Sequence, residues 1–134
     1  MPTVGRTVLA GFTDWITRFG DAWESADPEA AGALFVVGAT FQPTPFSPLL
    51  RGRKQIQEYL AVSFQGWPRA SFAAQVLGAG DTYGIAHWRV ASRDRAMDGV
   101  LVAALDERGR CTSLRQWSHE DVEDAGEQRT ASPG

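Results

Sequence analysis

Few side chains in this sequence can move a proton, and the two histidines are the first to consider. His87 lies in one predicted strand and Asp98 at the start of the next, so the pair could form a general base with an orienting carboxylate. The sequence also allows non-catalytic roles for the pair: His87 could lie on an outer sheet face, and Asp98 could be a turn residue before Gly99. His119, beside two acids, could lie at a pocket rim or begin an exposed tail. These three residues are the catalytic candidates, and we favour the surface role for each.

Metal and thiol chemistry are not indicated by the remaining residues. With two histidines, one cysteine and no HxxxH or CxxC spacing, the sequence offers no metal-ligand set. We therefore expect neither a metal nor a cofactor. Cys111 has no partner for an internal disulfide and falls in a predicted strand, which is typical of a buried thiol in a reducing compartment.

Composition predicts one globular protein that binds neither nucleic acid nor membrane. A chain of 134 residues with 43% hydrophobic residues can bury a core of its own. Thirteen basic against sixteen acidic residues give a net charge of −3, whereas a nucleic-acid-binding face requires clustered positive charge. No apolar run reaches the roughly 20 residues of a membrane helix, and the N-terminus lacks a signal-peptide pattern. We expect a cytoplasmic protein.

Apolar residues in the first third recur at helical spacing and predict two helices. The first is expected to begin after Thr13 as its N-cap and to end near Ala26. Asp27 before Pro28 predicts the start of the second helix, which should continue to about Val36. One face of the first helix is formed by Phe12, Ile16, Phe19 and Trp23.

A proline-rich segment separates these helices from one more helix and four strands. We expect residues 40–44 to form a short extended piece outside the sheet interior, because the prolines from Pro43 onward lack an N–H donor. A third helix should begin after Gly52 and end at Trp67, which precedes a proline. Alternation of period two then predicts four strands joined by short hairpin connections, at residues 70–77, 83–92, 97–105 and 110–119.

The order of these elements indicates an α+β fold, with three N-terminal helices packed on a mostly antiparallel sheet. Residues 1–119 are expected to form this domain. Residues 120–134 are polar and show no periodicity, so we expect a flexible tail there.

Several segments together resemble the NTF2-like superfamily, and its SnoaL-like branch most. They are an aromatic first helix, the Asp27-Pro28 cap, and the runs FQPTPF, RGRKQIQEYL and DGVLVAALDERGRCTSLRQWSH. The resemblance extends from about Phe12 to His119. It implies a curved sheet, shaped as a cone or open barrel, around a long first helix. It also implies an apolar pocket between them and a homodimer formed through the outer sheet face.

The pattern of alternation selects residues for that implied pocket. In the second long strand Trp88 points inward while its neighbours His87 and Arg89 point outward. For the last strand the pattern alone leaves either face inside. Comparison with limonene-epoxide hydrolases of the same superfamily favours Leu114, Gln116 and Ser118 as the inner face. The predicted ligand contacts are Trp15, Phe41, Trp88, Leu101, Leu114 and Gln116.

The same comparison argues against one reaction. The positions that match water-binding and carboxylate residues of the limonene-epoxide hydrolases look to be Phe41, Pro43 and Gln116, none of which can act as the base that activates water. Epoxide hydrolysis of that type is not expected, and the sequence does not decide whether the protein is an enzyme.

Three functions remain open at this stage. The first is a small-molecule pocket protein that binds a hydrophobic, polyketide-like or aromatic ligand. The second is a cyclase or isomerase of natural-product biosynthesis that uses the same pocket. The third is a non-catalytic dimerisation module whose core is filled. An open cavity of about 300 Å³ or more favours ligand binding, whereas a core packed shut favours the module.

Overall fold

A computed structural model describes the backbone of residues 2–121 and the side chains of residues 11–121. The chain forms three helices and six strands within this range. The helices are α1 (Pro2–Ser25), α2 (Pro28–Gly32) and α3 (Arg53–Gly66). The strands are β1 (Phe35–Gln42), β2 (Leu50–Arg51), β3 (Ser71–Ala79), β4 (Tyr83–Ser92), β5 (Arg95–Leu105) and β6 (Cys111–Asp121).

The helices confirm the predicted helical regions but correct their arrangement. Helix α1 begins at Pro2 and not after Thr13, because proline is tolerated in a first helical turn and no other proline interrupts the segment. Only α1 and α3 are long, since α2 has 5 residues. Helix α3 follows β1 and β2, so the expectation of three N-terminal helices is not confirmed in that form.

Strand β1 replaces the second half of the predicted second helix. Asp27 does cap α2, and its carboxylate accepts a hydrogen bond from the Ala30 N–H at 3.0 Å. The helix ends at Gly32 and not near Val36, and the buried Phe35 begins β1. The paired valines that follow Phe35 are β-branched and favour a strand, and this preference prevails over the helical spacing.

The six strands form one sheet in the order β2-β1-β6-β5-β4-β3. Every neighbouring pair is antiparallel except β1 and β6, which run parallel. The α+β class with a mostly antiparallel sheet is therefore confirmed. Strand β1 lies between β2 and β6 and is therefore an interior strand, contrary to the expectation from the prolines, because Pro43 comes directly after the strand ends.

The core lies between one face of the sheet and α1 and α3. Trp15 stacks on Phe19 with ring centroids 5.0 Å apart and meets the Phe35 ring edge-on at 5.8 Å. Its indole N–H donates to the Leu34 carbonyl oxygen at 3.0 Å, which joins α1 to the start of β1. The contacts of Trp15 with Phe35 and with the Leu34 carbonyl hold α1 in place along the sheet.

Two further sequence expectations concern a membrane helix and the C-terminal tail. No helix in the part of the chain that the structure describes is long and apolar enough to cross a membrane. Strand β6 continues to Asp121, so the predicted tail shares its first two residues with the sheet. The rest of the predicted tail, residues 122–134, lies outside the described residues, and the division into domain and tail stays a prediction.

The turn between β5 and β6 supplies a pH-dependent prediction. Hydrogen bonds from the Arg110 and Arg108 backbone N–H groups, each 2.9 Å long, lower the pKa of Asp106 from its ordinary value of 3.8. A carboxyl group with a lowered folded-state pKa stabilises the fold above its ordinary pKa, and this contribution is lost as the pH falls through the folded-state value. We expect Asp106→Ala to lower the midpoint of thermal unfolding by about 2 °C at neutral pH and by less near about pH 3. Thermal unfolding followed by circular dichroism at both pH values tests this, and an equal loss at both would contradict it.

Candidate functional site

The sheet register places one residue set of β4, β5 and β6 on the face toward the helices. Trp88 pairs across the sheet with Gly99, which pairs with Ser118. Leu101 pairs with Gln116 in the same way. Cross-strand partners share a face, so these residues all face inward. The structure therefore places Leu114, Gln116 and Ser118 on the inner face of β6, while Trp117 lies outside and is 40% exposed.

A cavity of about 130 Å³ lies between this inner face and the ends of α1 and α3. Its wall comes from α1, α3, β1, β5 and β6 and from the loop after β1. Apolar and aromatic side chains form most of it, with an amide and hydroxyl groups among them. The lining residues are Trp23, Phe41, Pro43, Thr44, Tyr59, Leu60, Ser63, Trp67, Met97, Gln116 and Ser118. We call this space the α3 cavity.

Two of the residues that line the α3 cavity have a polar group without a hydrogen-bond partner among residues 11–121. Gln116 is 8% exposed, and its carboxamide makes no hydrogen bond to residues 11–121. Trp23 is 5% exposed, and its buried Nε1 likewise lacks an acceptor among these residues. The Gln116 carboxamide is therefore available to a molecule in the cavity. The Trp23 Nε1 is closed off from solvent, as is the equally unpartnered Nε1 of Trp88, which does not line the cavity.

Contacts outside the α3 cavity hold its walls in position. The Arg95 guanidinium lies 4.0 Å from the centre of the Trp67 ring, donates to the Gly66 carbonyl at the end of α3, and pairs with Glu120 at 3.0 Å. Arg95 thereby connects the end of α3 to β6. At the start of the helix, Arg53 donates to the Phe35 carbonyl from Nε at 3.0 Å and from Nη2 at 2.6 Å.

A compact loop borders the opening of the α3 cavity. The Gln42 side chain donates to the carbonyl oxygens of Thr44 and Ser47. Thr44 and Ser47 also exchange backbone-to-hydroxyl hydrogen bonds of 3.0 and 3.1 Å. The loop is thus tied to itself, with Pro43 and Thr44 on the cavity and Phe46 99% exposed.

The structure brings together two of the six predicted ligand contacts. Phe41 and Gln116 line the α3 cavity. The other four, Trp15, Trp88, Leu101 and Leu114, are buried in the core and are not among its lining residues. For Trp23 the sequence favoured a place in the core over one in the pocket, and it did not identify Tyr59, Trp67 or Met97 as lining residues. Alternation could have shown that Met97 shares a face with Gly99 and Leu101, but no local pattern relates Tyr59 to the sheet.

The three catalytic candidates lie away from the α3 cavity, on the outer sheet face or at its margin. His87 Nε2 is 2.8 Å from Asp98 Oδ1, so the predicted pair does form. Both side chains are nearly half exposed, and Arg89 Nη1 lies 3.9 Å from the other Asp98 oxygen. His119 is exposed on the neighbouring strand, opposite Asp98. No side chain that lines the cavity within residues 11–121 is an Asp, Glu, His, Lys or Arg.

Burial also determines the reactivity of Cys111, the only cysteine in the sequence. Cys111 is fully buried at the start of β6, and its burial raises the pKa of the thiol to about 12. A thiol with so high a pKa is not a nucleophile at neutral pH.

Larger hollows occur on the described surface, but they differ in character. One of about 600 Å³ lies between α2 and the start of α3, where Val37 is 74% exposed. Another of about 370 Å³ lies near Phe12 and the β5–β6 turn, among exposed charged residues such as Asp14 and Glu107. The smaller α3 cavity lies between the inner sheet face and the helices, with aromatic side chains and the Gln116 carboxamide in its wall, so we take it as the candidate site.

Comparison with known proteins identifies the family. A family model described as the SnoaL-like domain matches residues 16–126, which is most of the chain. The chain belongs to the SnoaL-like family. The match includes α1 from Ile16 onward and every strand, so the SnoaL-like region contains the whole lining of the α3 cavity.

A solved structure supports the same fold for this SnoaL-like protein. It is that of SalBIII, described as an epoxide hydrolase/cyclase-like enzyme with a role in pyran ring formation in the polyether salinomycin. The two share 15% sequence identity over 80% of this chain and 89% of the other, with a TM-score of 0.71. Comparison with curated proteins gave no match. At this level of identity the likeness extends to the fold and not to the reaction.

Proposed function

We propose that this SnoaL-like protein binds a small hydrophobic molecule in the α3 cavity. The single observation that carries the proposal is the cavity itself, an unfilled space of about 130 Å³ walled by aromatic side chains and by Gln116. Protein interiors are packed about as densely as organic crystals, and empty space of this size is uncommon in a small core. A cavity of ~150 Å³ engineered into another protein accepts benzene. One ring therefore fits here.

The cavity volume limits what can enter. It is smaller than the roughly 300 Å³ expected of a site for a drug-sized ligand. A polyketide-like ligand would place one ring inside and the rest over the opening, beside Thr44 and the partly exposed Tyr59. The small volume also supports the alternative function, a non-catalytic dimerisation module with a filled core. The benzene experiment below distinguishes that function from ligand binding.

Titration with benzene tests the proposal. We expect calorimetry to give a dissociation constant of about 0.1–1 mM, since six heavy atoms can contribute only a few kcal/mol. Ser63→Phe adds bulk to the cavity wall and should abolish binding. Val62→Phe, one residue earlier on α3 and 69% exposed, is the matched control and should bind as the wild type does. Absence of benzene binding to the wild-type protein would reject the pocket in favour of the module.

A ring-forming activity is a second candidate, favoured by the structural likeness to SalBIII. Without an acidic or imidazole side chain among its described lining residues, the cavity would act by holding a flexible substrate in a folded shape and by hydrogen bonding. Incubation with a hydroxy-epoxide and detection of the isomeric cyclic ether by mass-resolved chromatography tests this. Product formed equally fast by the wild type and by Ser63→Phe would reject a role for the cavity.

The proposal includes a homodimer formed through the outer sheet face and keeps the expected cytoplasmic location. The exposed Trp117 lies on that face opposite Val100, and the Arg115 guanidinium is 5.0 Å from the centre of its ring. We expect Trp117→Lys to shift the protein from dimer to monomer, because it removes the largest apolar side chain from the face and adds a charge. Light scattering during size-exclusion chromatography measures this, with Phe46→Lys in the loop after β1, where Phe46 is 99% exposed, as the control. A wild-type monomer would contradict the dimer.

A further inference from the structure

We infer that the α3 cavity prefers a neutral six-membered ring whose edge carries an N–H group beside a carbonyl, as in a lactam, and that the Gln116 carboxamide pairs with that edge. The inference rests on the proposed function and specifies the chemistry of its ligand. Its grounds are the surroundings of Gln116, the hydrogen bonds of other polar lining groups, and the absence of charge from the described lining.

Gln116 lies beside the end of strand β1. The last residue pair between β1 and β6 joins Gln42 to Arg115, so the loop from Pro43 onward, and not a strand, follows at the level of Gln116. On its other side Gln116 pairs with Leu101 of β5, whose buried apolar side chain offers no hydrogen-bonding group. The carboxamide is therefore part of the cavity wall without a neighbouring strand residue that could bind it.

Two other polar groups of the lining are engaged within the protein. The Ser63 hydroxyl donates to the Tyr59 carbonyl oxygen at 3.0 Å, and the Thr44 hydroxyl accepts a hydrogen bond from the Ser47 N–H at 3.1 Å. The Gln116 carboxamide, in contrast, makes no hydrogen bond to residues 11–121. A molecule in the cavity thus meets a carboxamide whose donor and acceptor are both unused.

The two halves of a carboxamide determine what pairs with it best. It offers N–H donors and a carbonyl acceptor on adjacent atoms. A ring ether or a ring ketone can only accept, so it would leave the Gln116 oxygen without a donor, and a buried polar atom without a partner costs free energy. The edge of a lactam places an N–H next to a carbonyl on the same side, and such an edge forms two parallel hydrogen bonds with a carboxamide.

The rest of the lining limits the size and charge of the ring. A carboxylate or an ammonium group would lose its hydration on entry, and no described lining side chain carries an opposite charge. A space of about 130 Å³ admits one ring. The methylene groups of a six-membered lactam would face aromatic side chains such as Phe41 and Trp67, while its amide edge faces Gln116.

Two rings of nearly equal shape test the inference. In 2-piperidone an N–H replaces one methylene group next to the carbonyl of cyclohexanone. We would obtain the dissociation constants of both rings from titrations of the Met97 methyl signal and compare their ratio between protein variants, because the difference in hydration of the two rings is the same for every variant. Gln116→Met removes the carboxamide and keeps an unbranched side chain. Gln75→Met on the exposed surface of β3 is the matched control.

The expected result is a shift of the ratio against 2-piperidone by about three- to tenfold in Gln116→Met. The lactam loses two hydrogen bonds and the ketone loses one, so the ratio changes by one net hydrogen bond. Gln75→Met should change the ratio less than about twofold. Gln116→Met should fold, because its wild-type carboxamide has no partner among residues 11–121 to lose, and circular dichroism checks this.

A second measurement on the wild-type protein does not depend on that variant. The side-chain amide protons of Gln116 should move downfield when 2-piperidone binds, and should not do so when benzene binds. Binding of 2-piperidone with an unchanged ratio in Gln116→Met, or with unmoved Gln116 amide signals, would overturn the inference and leave the proposed function intact. Binding of benzene but not of 2-piperidone would have the same meaning. Binding of none of the three rings to the wild type would overturn both.

Discussion

Trp15→Ala should lower the free energy of unfolding by about 3–5 kcal/mol, a large part of the stability of a domain of this size. The residue is 1% exposed and contacts aromatic rings of α1 and β1. Its removal leaves a cavity in the centre of the core and deprives the Leu34 carbonyl of the indole N–H. Urea denaturation followed by circular dichroism measures the change.

Trp117→Ala is the matched control for this prediction, because Trp117 lies on the outer face and is 40% exposed. At a protein concentration low enough to populate the monomer, it should cost less than about 1 kcal/mol. A loss of that small size for Trp15→Ala would contradict the packing described for α1.

Gly99→Ala should destabilise the sheet by about 1–3 kcal/mol and distort the α3 cavity. A Cβ atom at this position would lie 2.1 Å from the Trp117 carbonyl oxygen and 2.8 Å from the Ser118 Cα. Both atoms belong to the backbone of β6, which can yield only if the β5–β6 pairing shifts. Since Ser118 and Met97 both line the cavity, the shift would also weaken the binding of benzene.

Gly38→Ala in β1 provides the comparison, because a Cβ there meets no atom within 4 Å. It should leave stability unchanged within about 0.5 kcal/mol. Denaturation midpoints and benzene titrations of both variants measure the effects. Equal stability of Gly99→Ala and Gly38→Ala would show that the close approach of β5 and β6 is not required.

The sequence predicted the sheet well because its strands alternate clearly and end at strong turns. The predicted strand 83–92 matches Tyr83–Ser92, and the third helix ends before Trp67 as expected. The prediction for the α2–β1 region was wrong because a short apolar run fits a helix and a strand equally well. There Phe35 is buried in either case, so burial could not decide between them.

The candidate site was less accessible to sequence reasoning than the fold. Alternation separates inner from outer residues, and it identified Trp88 and His87 accordingly. It cannot tell an inner residue that lines a cavity from one that fills the core, because that depends on how α3 meets the sheet. Tyr59 and Gln116 are far apart in sequence and meet at the cavity only through tertiary packing.

On the outer sheet face, sequence reasoning correctly predicted a contact between two side chains. The pairing of His87 with Asp98 was foreseen from the hairpin, and the structure forms it at 2.8 Å. Its position on the face away from the α3 cavity separates this pair from the proposed ligand. A residue pair with the right chemistry is thus present on the sheet face opposite the α3 cavity.

The most direct test of the α3 cavity as a ligand site is the methyl resonance of Met97. The sequence has two methionines, Met1 and Met97, so a methyl-labelled protein gives a simple spectrum, and Met97 lines the cavity. Addition of benzene should shift the Met97 methyl signal through the ring current and produce nuclear Overhauser contacts between benzene and this methyl group. Ser63→Phe should remove both effects. Benzene contacts to Val37 in the larger surface hollow, with an unperturbed Met97 signal, would contradict the account.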